Sequence, residues 1–263
     1  RHLLGPRRLN GRQPGNALSP LPSGSELRGI RHGPLAAGHR ALDDAAARHV
    51  RVLRLDAGAA LTLFDGRGGE WRAQVQQTRA DSVTIEVIEH VPIERELNVA
   101  VHLAVGMPAN DRMDFLVEKA TELGAASIQP LVTERSVLRL AGERAAKKTA
   151  HWQAVAIAAC EQCGRNRVPT VLPMVALPTW LEGLAPSNPG EQRIVLSTTT
   201  VEAQQPNTPA VDIRVLSGPE GGLSPQEETL AVHHGFSPHT LGPRILRADT
   251  APLAMLVALT ADH

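Results

Sequence analysis

Six consecutive residues, Ser217-Gly218-Pro219-Glu220-Gly221-Gly222, put three glycines and a carboxylate between a predicted strand and a predicted helix. Glycine lets backbone approach a ligand and reach positive φ. In α/β proteins, ligands bind where parallel strands end. The segment lacks the Lys-Ser/Thr of a phosphate loop and is not a dinucleotide fingerprint, so by itself it also fits a plain tight turn. A second segment, Leu241-Gly242-Pro243-Arg244-Ile245-Leu246-Arg247-Ala248-Asp249-Thr250-Ala251, carries two arginines through a short apolar stretch. Such guanidinium groups need an anionic partner, either structural (Glu220 or Asp249) or a ligand. A third runs from Cys160 to Pro169. Cys160 and Cys163 have no second cysteine pair to complete a zinc site and lie at the wrong end of a helix for redox work. They read as core residues, whereas Gly164–Arg167 offers two arginines in a loop, placed for phosphate or a base. His233-His234 falls in the last turn of a helix, where the dipole favours it. No metal site is assigned, and no Ser-His-Asp arrangement follows from spacing.

The elements that must position these segments change character along the chain. Residues 1–28 lack an apolar period and read as a flexible extension, not a targeting peptide. Residues 29–95 read as mostly β. A helix from Asp43 to Val50 is followed by strands Val50–Asp56, Ala60–Phe64, Trp71–Gln76 and Ser82–Glu89, with turn chemistry at Asp65-Gly66 and Gly68-Gly69. Short strands with tight turns suggest a small barrel. Pro92–Leu97 reads as a linker.

From 96 to 263 strands and helices alternate, which means a parallel sheet covered by helices. Strands are expected at Val99–Val105, Ile128–Val132, Ile194–Ser197 and Ile213–Ser217. Helices are expected from an Asp111 cap to Gly124, over 143–163, from the Ser224–Glu227 capping box to Gly235, and from Asp249 or Thr250 onward. Loops are expected at 183–190 and 204–209.

The chain has 263 residues, with 27 basic and 27 acidic groups. Its 42% hydrophobic content excludes global disorder, and no apolar run is long enough for a membrane helix. With 2% aromatics and no Tyr, single-strand binding by stacking is disfavoured. Two cysteines fit a reducing cytoplasm. The neutral total hides a local excess: across 135–167, Arg135, Arg139, Arg144, Lys147, Lys148, Arg165 and Arg167 face only Glu143 and Glu161. That patch reads either as a solvated helix face or as a track for phosphates.

Lys119-Ala120-Thr121-Glu122-Leu123-Gly124, Glu134-Arg135-Ser136, Glu161-Gln162-Cys163-Gly164-Arg165, Gly218–Gly222 and Leu241–Arg247 occur in the order and approximate spacing of one family. The chain resembles the RsmE family, SPOUT-class methyltransferases that modify ring nitrogen 3 of a uridine in small-subunit ribosomal RNA. The resemblance covers about residues 30–260. It implies an α/β fold: a C-terminal SPOUT-type parallel sheet with a trefoil knot, plus an N-terminal PUA-like β-barrel. It also implies S-adenosylmethionine as cofactor, ribosomal RNA or the small subunit as partner, and a homodimer. By motif position, Leu196, Ser197, Gly218, Pro219, Glu220, Gly221, Gly222, Leu241, Gly242, Arg244, Ile245, Leu246 and Arg247 wrap the cofactor. Arg165 and Arg247 lie near the target base, with Glu220 or Asp249 as proton acceptor. Arg135, Arg139, Lys147, Lys148 and Arg167 are the expected RNA contacts. Ala248-Asp249-Thr250 stands where the family commonly has Thr-Glu-Thr, which leaves a catalytically inactive, RNA-binding assembly factor as the alternative. A phosphate-binding hydrolase rests on the glycine loop alone.

Overall fold

The structure, a computed structural model, describes residues 27–30, 35–198 and 210–260. Most of the expected extension and the loop expected at 204–209 lie outside the described residues, but Leu27 and Arg28 belong to a strand and not to the extension.

The first unit contains strands β1 (Leu27–Ile30), β2 (Gly38–Ala41), β3 (Ala60–Phe64), β4 (Glu70–Thr78) and β5 (Val83–Val91), with helix α1 (Asp44–Val52). The strands form one sheet in the order β1-β3-β4-β5-β2. Alternation in β5 buries Val83, Ile85 and Val87 against Leu61, Leu63, Val75 and the Ala46, Ala47 and Val50 face of α1. Asp43 caps α1 by accepting the Ala46 N–H at 2.9 Å. The expected strand Val50–Asp56 does not exist. Val50 is fully buried on α1, the helix continues to Val52, and Arg54 at φ 53° turns the chain back. The helical burial of Val50 overrides the β-branched composition of the segment.

The second unit contains β6 (Ala100–Gly106), β7 (Ser127–Val132), β8 (Thr170–Val171), β9 (Val175–Ala176), β10 (Glu191–Leu196), β11 (Asp212–Ser217) and β12 (Ser237–His239). Its sheet order is β12-β10-β11-β6-β7-β8, with β9 also on β7, and every pair is parallel. Helices α2 (Asn110–Glu122), α3 (Gly142–Cys163), α4 (Leu177–Glu182), α5 (Pro225–His233) and α6 (Thr250–Thr260) cover it. Val101, Leu103 and Val105 face one way, onto Met113, Leu116, Trp152, Ala156, Met255 and Leu256. Ala104, Leu131, Val195 and Leu216 face the other way, onto Leu177, Leu181, Ala231 and Phe236. A sheet buried on both faces explains why its strands read as continuous apolar runs.

Asp111 does not cap α2. The N-cap is Ala109, and its N–H is taken by Glu220 Oε1, 2.9 Å away. Asp114 instead accepts from Lys148, His151 and the Trp152 indole on α3, at 3.0, 2.8 and 2.8 Å. Burial pushes its carboxyl upward, but these three donors outweigh that and hold it below the usual carboxylate range.

The segment 92–97 is a fastening and not a loose linker. Arg95 donates to Glu70 of β4 and to Asn166 Oδ1, and the Asn166 amide donates to the Ile93 carbonyl. Glu96 holds Arg165, and Glu94 holds both Arg167 and the Gly69 N–H. Gly68 N–H reaches the Asn166 carbonyl at 3.1 Å, while Phe64 packs on Cys160. Through the 164–168 loop the two units meet.

Candidate functional site

Three segments leave the C-terminal ends of neighbouring strands and enclose one cleft of about 580 Å³. Residues 196–198 follow β10, 217–223 follow β11 and 239–248 follow β12, and all three line it. Every residue expected to wrap a cofactor, from Leu196 and Ser197 through Gly218–Gly222 to Leu241–Arg247, lines this cleft. The position, outside the carboxyl ends of parallel strands, is the usual ligand site of open α/β sheets. The volume suits a nucleoside-sized ligand.

Backbone forms much of the wall because side chains have no room. A Cβ on Gly218 would stand 2.6 Å from the Leu223 nitrogen and 2.7 Å from the Gly222 carbonyl carbon. Behind the loop, a Cβ on Gly106 at the end of β6 would strike Pro219 at 2.6 Å. Gly222 has φ +69° and Gly242 φ +87°, in the left-handed region that favours glycine. Gly221 also lines the cleft, and a Cβ there would meet the Arg135 side chain at 3.2 Å.

The loop is braced from the turn after β7. Arg135 Nη1 donates to the Gly221 carbonyl at 2.7 Å and the Leu223 carbonyl at 3.2 Å. Buried Glu227 accepts from Glu134 N–H (2.8 Å) and Ser224 N–H (2.9 Å), completing the expected capping box of α5. Arg135 was expected among the RNA contacts, but here its guanidinium holds the loop of the cleft.

Four cations and two carboxylates line the cleft: Arg112, Arg135, Arg244, Arg247, Glu220 and Glu228. Glu228 accepts from Ser197 Oγ at 3.4 Å. Asp249 is not part of the lining; it is half-buried and accepts from Thr250 Oγ1 at 3.3 Å. Arg112, Glu228 and His239 were missed in the sequence because they stand outside the glycine-rich segments. An arginine in the first turn of α2, where the helix dipole disfavours a cation, was the one signal available for Arg112.

The structure does not bring Arg165 to the cleft. It is buried, its guanidinium taken by Glu96 and by the Thr121 and Ala125 carbonyls. Among the expected RNA contacts, Lys148 is engaged by Asp114 and lies over the Trp152 ring, and Arg167 is paired with Glu94. Arg139 donates to the Glu134 carbonyl and Lys147 pairs with Glu143, both on the surface. Burial pushes the Cys160 thiol up to about 12, consistent with a core residue. No group of three or more metal-binding side chains occurs among the described residues.

A family model described as an RNA methyltransferase domain matches residues 95–260, and one described as an RNA methyltransferase PUA domain matches residues 42–88. The chain is 35% identical over 219 residues to ribosomal RNA small subunit methyltransferase E of Synechocystis sp., covering 80% of this chain and 69% of that protein. Against its namesake in Bacillus subtilis the identity is 32% over 220 residues, covering 80% and 85%. Two solved structures superpose over nearly the whole chain. One is a ribosomal RNA small subunit methyltransferase E from Neisseria gonorrhoeae bound to S-adenosyl methionine, 34% identical, with TM-score 0.82 and 90% and 97% coverage. The other is a methyltransferase from Legionella pneumophila in complex with the same cofactor, 34% identical, with TM-score 0.83 and 90% and 98% coverage.

Proposed function

The chain belongs to the ribosomal RNA small subunit methyltransferase E family, and we propose that it transfers a methyl group from S-adenosylmethionine to ring nitrogen 3 of a uridine in small-subunit ribosomal RNA. The observation that carries this reading is the single cleft where all three motif-bearing loops converge. The residues fit the cofactor: a glycine-walled cradle with no room for a Cβ at Gly218, flanked by Leu196, Leu241 and Leu246. When bound, S-adenosylmethionine supplies a methyl group already activated on a sulfonium.

The protein's own task is then alignment and removal of one proton. As the N3 proton leaves, charge spreads onto the uracil oxygens, and the Arg247 guanidinium in the cleft wall stabilises it. Glu220 is the better placed proton acceptor. It lines the cleft and is exposed, and one carboxylate oxygen is fixed on Ala109 N–H while the other is left for the substrate. Asp249 lies off the lining. The glycine cradle argues for an enzyme over an inactive assembly factor, since Ala248-Asp249 removes no element of it.

The five-stranded N-terminal sheet, read as the PUA-like barrel expected over residues 29–95, is the second proposed RNA-binding surface. In residues 96–263 the return of 241–247 to the cleft fits a SPOUT-type trefoil knot, a rare exception to unthreaded topology. A homodimer accounts for the apolar groups left exposed along two adjacent helices, Phe115 of α2, Leu123 at its C-cap and Val257 of α6. No described helix is long and apolar enough to cross a membrane, and the proposed ribosomal RNA substrate supports a cytoplasmic location. The test is methyl incorporation into small subunits from a strain lacking the endogenous enzyme, with N3-methyluridine identified by mass spectrometry. Cofactor binding without transfer to any subunit RNA would refute the reading.

A further inference from the structure

Arg112 projects into the cleft from the first turn of α2, yet no sequence motif includes it. Its guanidinium makes no hydrogen bond or ion pair among the described residues. The acidic groups nearest in sequence do not compensate it: Asp114 is taken by three donors on α3, and Asp111 is exposed. The two carboxylates lining the cleft keep their charge, since Glu220 accepts from the Ala109 N–H and Glu228 from the Ser197 hydroxyl, and neither forms an ion pair with an arginine among the described residues. Arg244 and Arg247 line the same cleft and are exposed, and their guanidinium groups likewise make no hydrogen bond or ion pair among the described residues.

Four arginines against two glutamates leave the cleft lining with an excess of positive charge, and the guanidinium groups of Arg112, Arg244 and Arg247 have no ion-pair partner among the described residues. Arg112 also stands at the positive end of a helix dipole, which makes its position the least favourable of the three. Such an arrangement lowers its energy by taking up an anion. S-adenosylmethionine carries a net positive charge through its sulfonium and amino group, so it does not neutralise the opening. Its one anionic group is a single carboxylate.

We propose that Arg112 is a substrate-binding residue that takes a phosphodiester oxygen of the RNA at the mouth of the cofactor cleft, beside Arg244 and Arg247. This rests on the methyltransferase reading above. The shared chemistry is an oxyanion, with two available sources: the RNA backbone, to which the proposal commits, and the cofactor carboxylate.

The experiment compares wild type, Arg112→Ala and Arg112→Lys by three readouts. These are affinity for unmethylated small subunits over a salt series, calorimetric affinity for S-adenosylhomocysteine, and melting temperature. For Arg112→Ala, subunit affinity should fall about tenfold, and the log–log salt slope should flatten by about 0.7–0.9, the share of one phosphate. Affinity for S-adenosylhomocysteine should stay within about threefold, and the melting temperature should hold or rise, because a cation leaves the positive end of a helix. Arg112→Lys should recover most of the RNA affinity, since a phosphate accepts a point charge. Loss of S-adenosylhomocysteine affinity with an unchanged salt slope would assign Arg112 to the cofactor carboxylate and overturn the proposal. So would unchanged binding of both ligands, or RNA loss that follows a lowered melting temperature. Wild-type protein that binds neither ligand would overturn the methyltransferase reading along with it.

Discussion

The glycines of the cleft loop should not be equivalent, and single alanine substitutions rank them. At Gly218 the added carbon would stand 2.6, 2.7 and 3.0 Å from three backbone atoms of Leu223 and Gly222, where ordinary contact begins near 3.4 Å. The obstacle is the backbone of the Gly222–Leu223 peptide, so no side chain can rotate away and the loop itself must open. A displacement on the order of 1 Å in a positioning element typically costs about a hundredfold in function, equivalent to about 2.7 kcal/mol. At Gly222 nothing lies within 4 Å, and the penalty is only the left-handed φ of +69°, about 1–2 kcal/mol. At Gly221 the neighbour is the Arg135 side chain at 3.2 Å, which can shift by a few tenths of an ångström. We therefore expect S-adenosylhomocysteine affinity to fall about a hundredfold in Gly218→Ala, about tenfold in Gly222→Ala and less than threefold in Gly221→Ala. Calorimetry on the three variants, each first shown to melt cooperatively, measures this. Gly221→Ala losing as much affinity as Gly218→Ala would refute it, because the ligand and not the backbone would then be what the glycines accommodate.

Arg165→Ala should act on stability and not on chemistry. Arg165 and Glu96 side chains are 7% and 21% exposed, and opening a buried pair costs about 3–5 kcal/mol. At roughly 2–4 °C per kcal/mol the melting temperature should fall by about 6 °C or more, with single-turnover methylation of the folded fraction within about threefold. A large rate loss at unchanged melting temperature would restore Arg165 to the reaction. Asp114 titrates below the ordinary 3.8, so its contribution is present above that pH and disappears as pH falls through the depressed folded value. Asp114→Asn should therefore lose about 1–2 kcal/mol at pH 7, in denaturant unfolding, and progressively less below pH 3.8. A stability difference that stays constant from pH 7 to the acid limit would contradict this.

The parallel sheet was legible because its central strands are buried on both faces and its helices carry caps or apolar periods, as at Ser224-Pro225 and along Met113, Leu116 and Val117. Elements of two to six residues, β8, β9, α4 and β12, escaped because they are too short to show a period. β12 is nevertheless the strand that delivers the third wall of the cleft. The loops that enclose the cleft were readable because glycine and proline placement is a local backbone property. The roles of Arg165 and Lys148 were not, because an arginine or lysine in a sequence does not reveal which carboxylate faces it. Glu96 is 69 residues from Arg165 and Asp114 is 34 from Lys148, distances over which no periodicity carries information.

The three walls of the cleft come from residues 196–198, 217–223 and 239–248, so a growing chain completes its ligand site only after most of both units has been made. The N-terminal sheet and the β6–β7 half of the second unit can fold first, in the order in which they emerge. A chain stopped before residue 239 would own two loops and no closed cradle. The ribosome that makes this chain contains the class of RNA that the family modifies. A copy in which β12 has not yet paired with β10 lacks the third wall of the cleft.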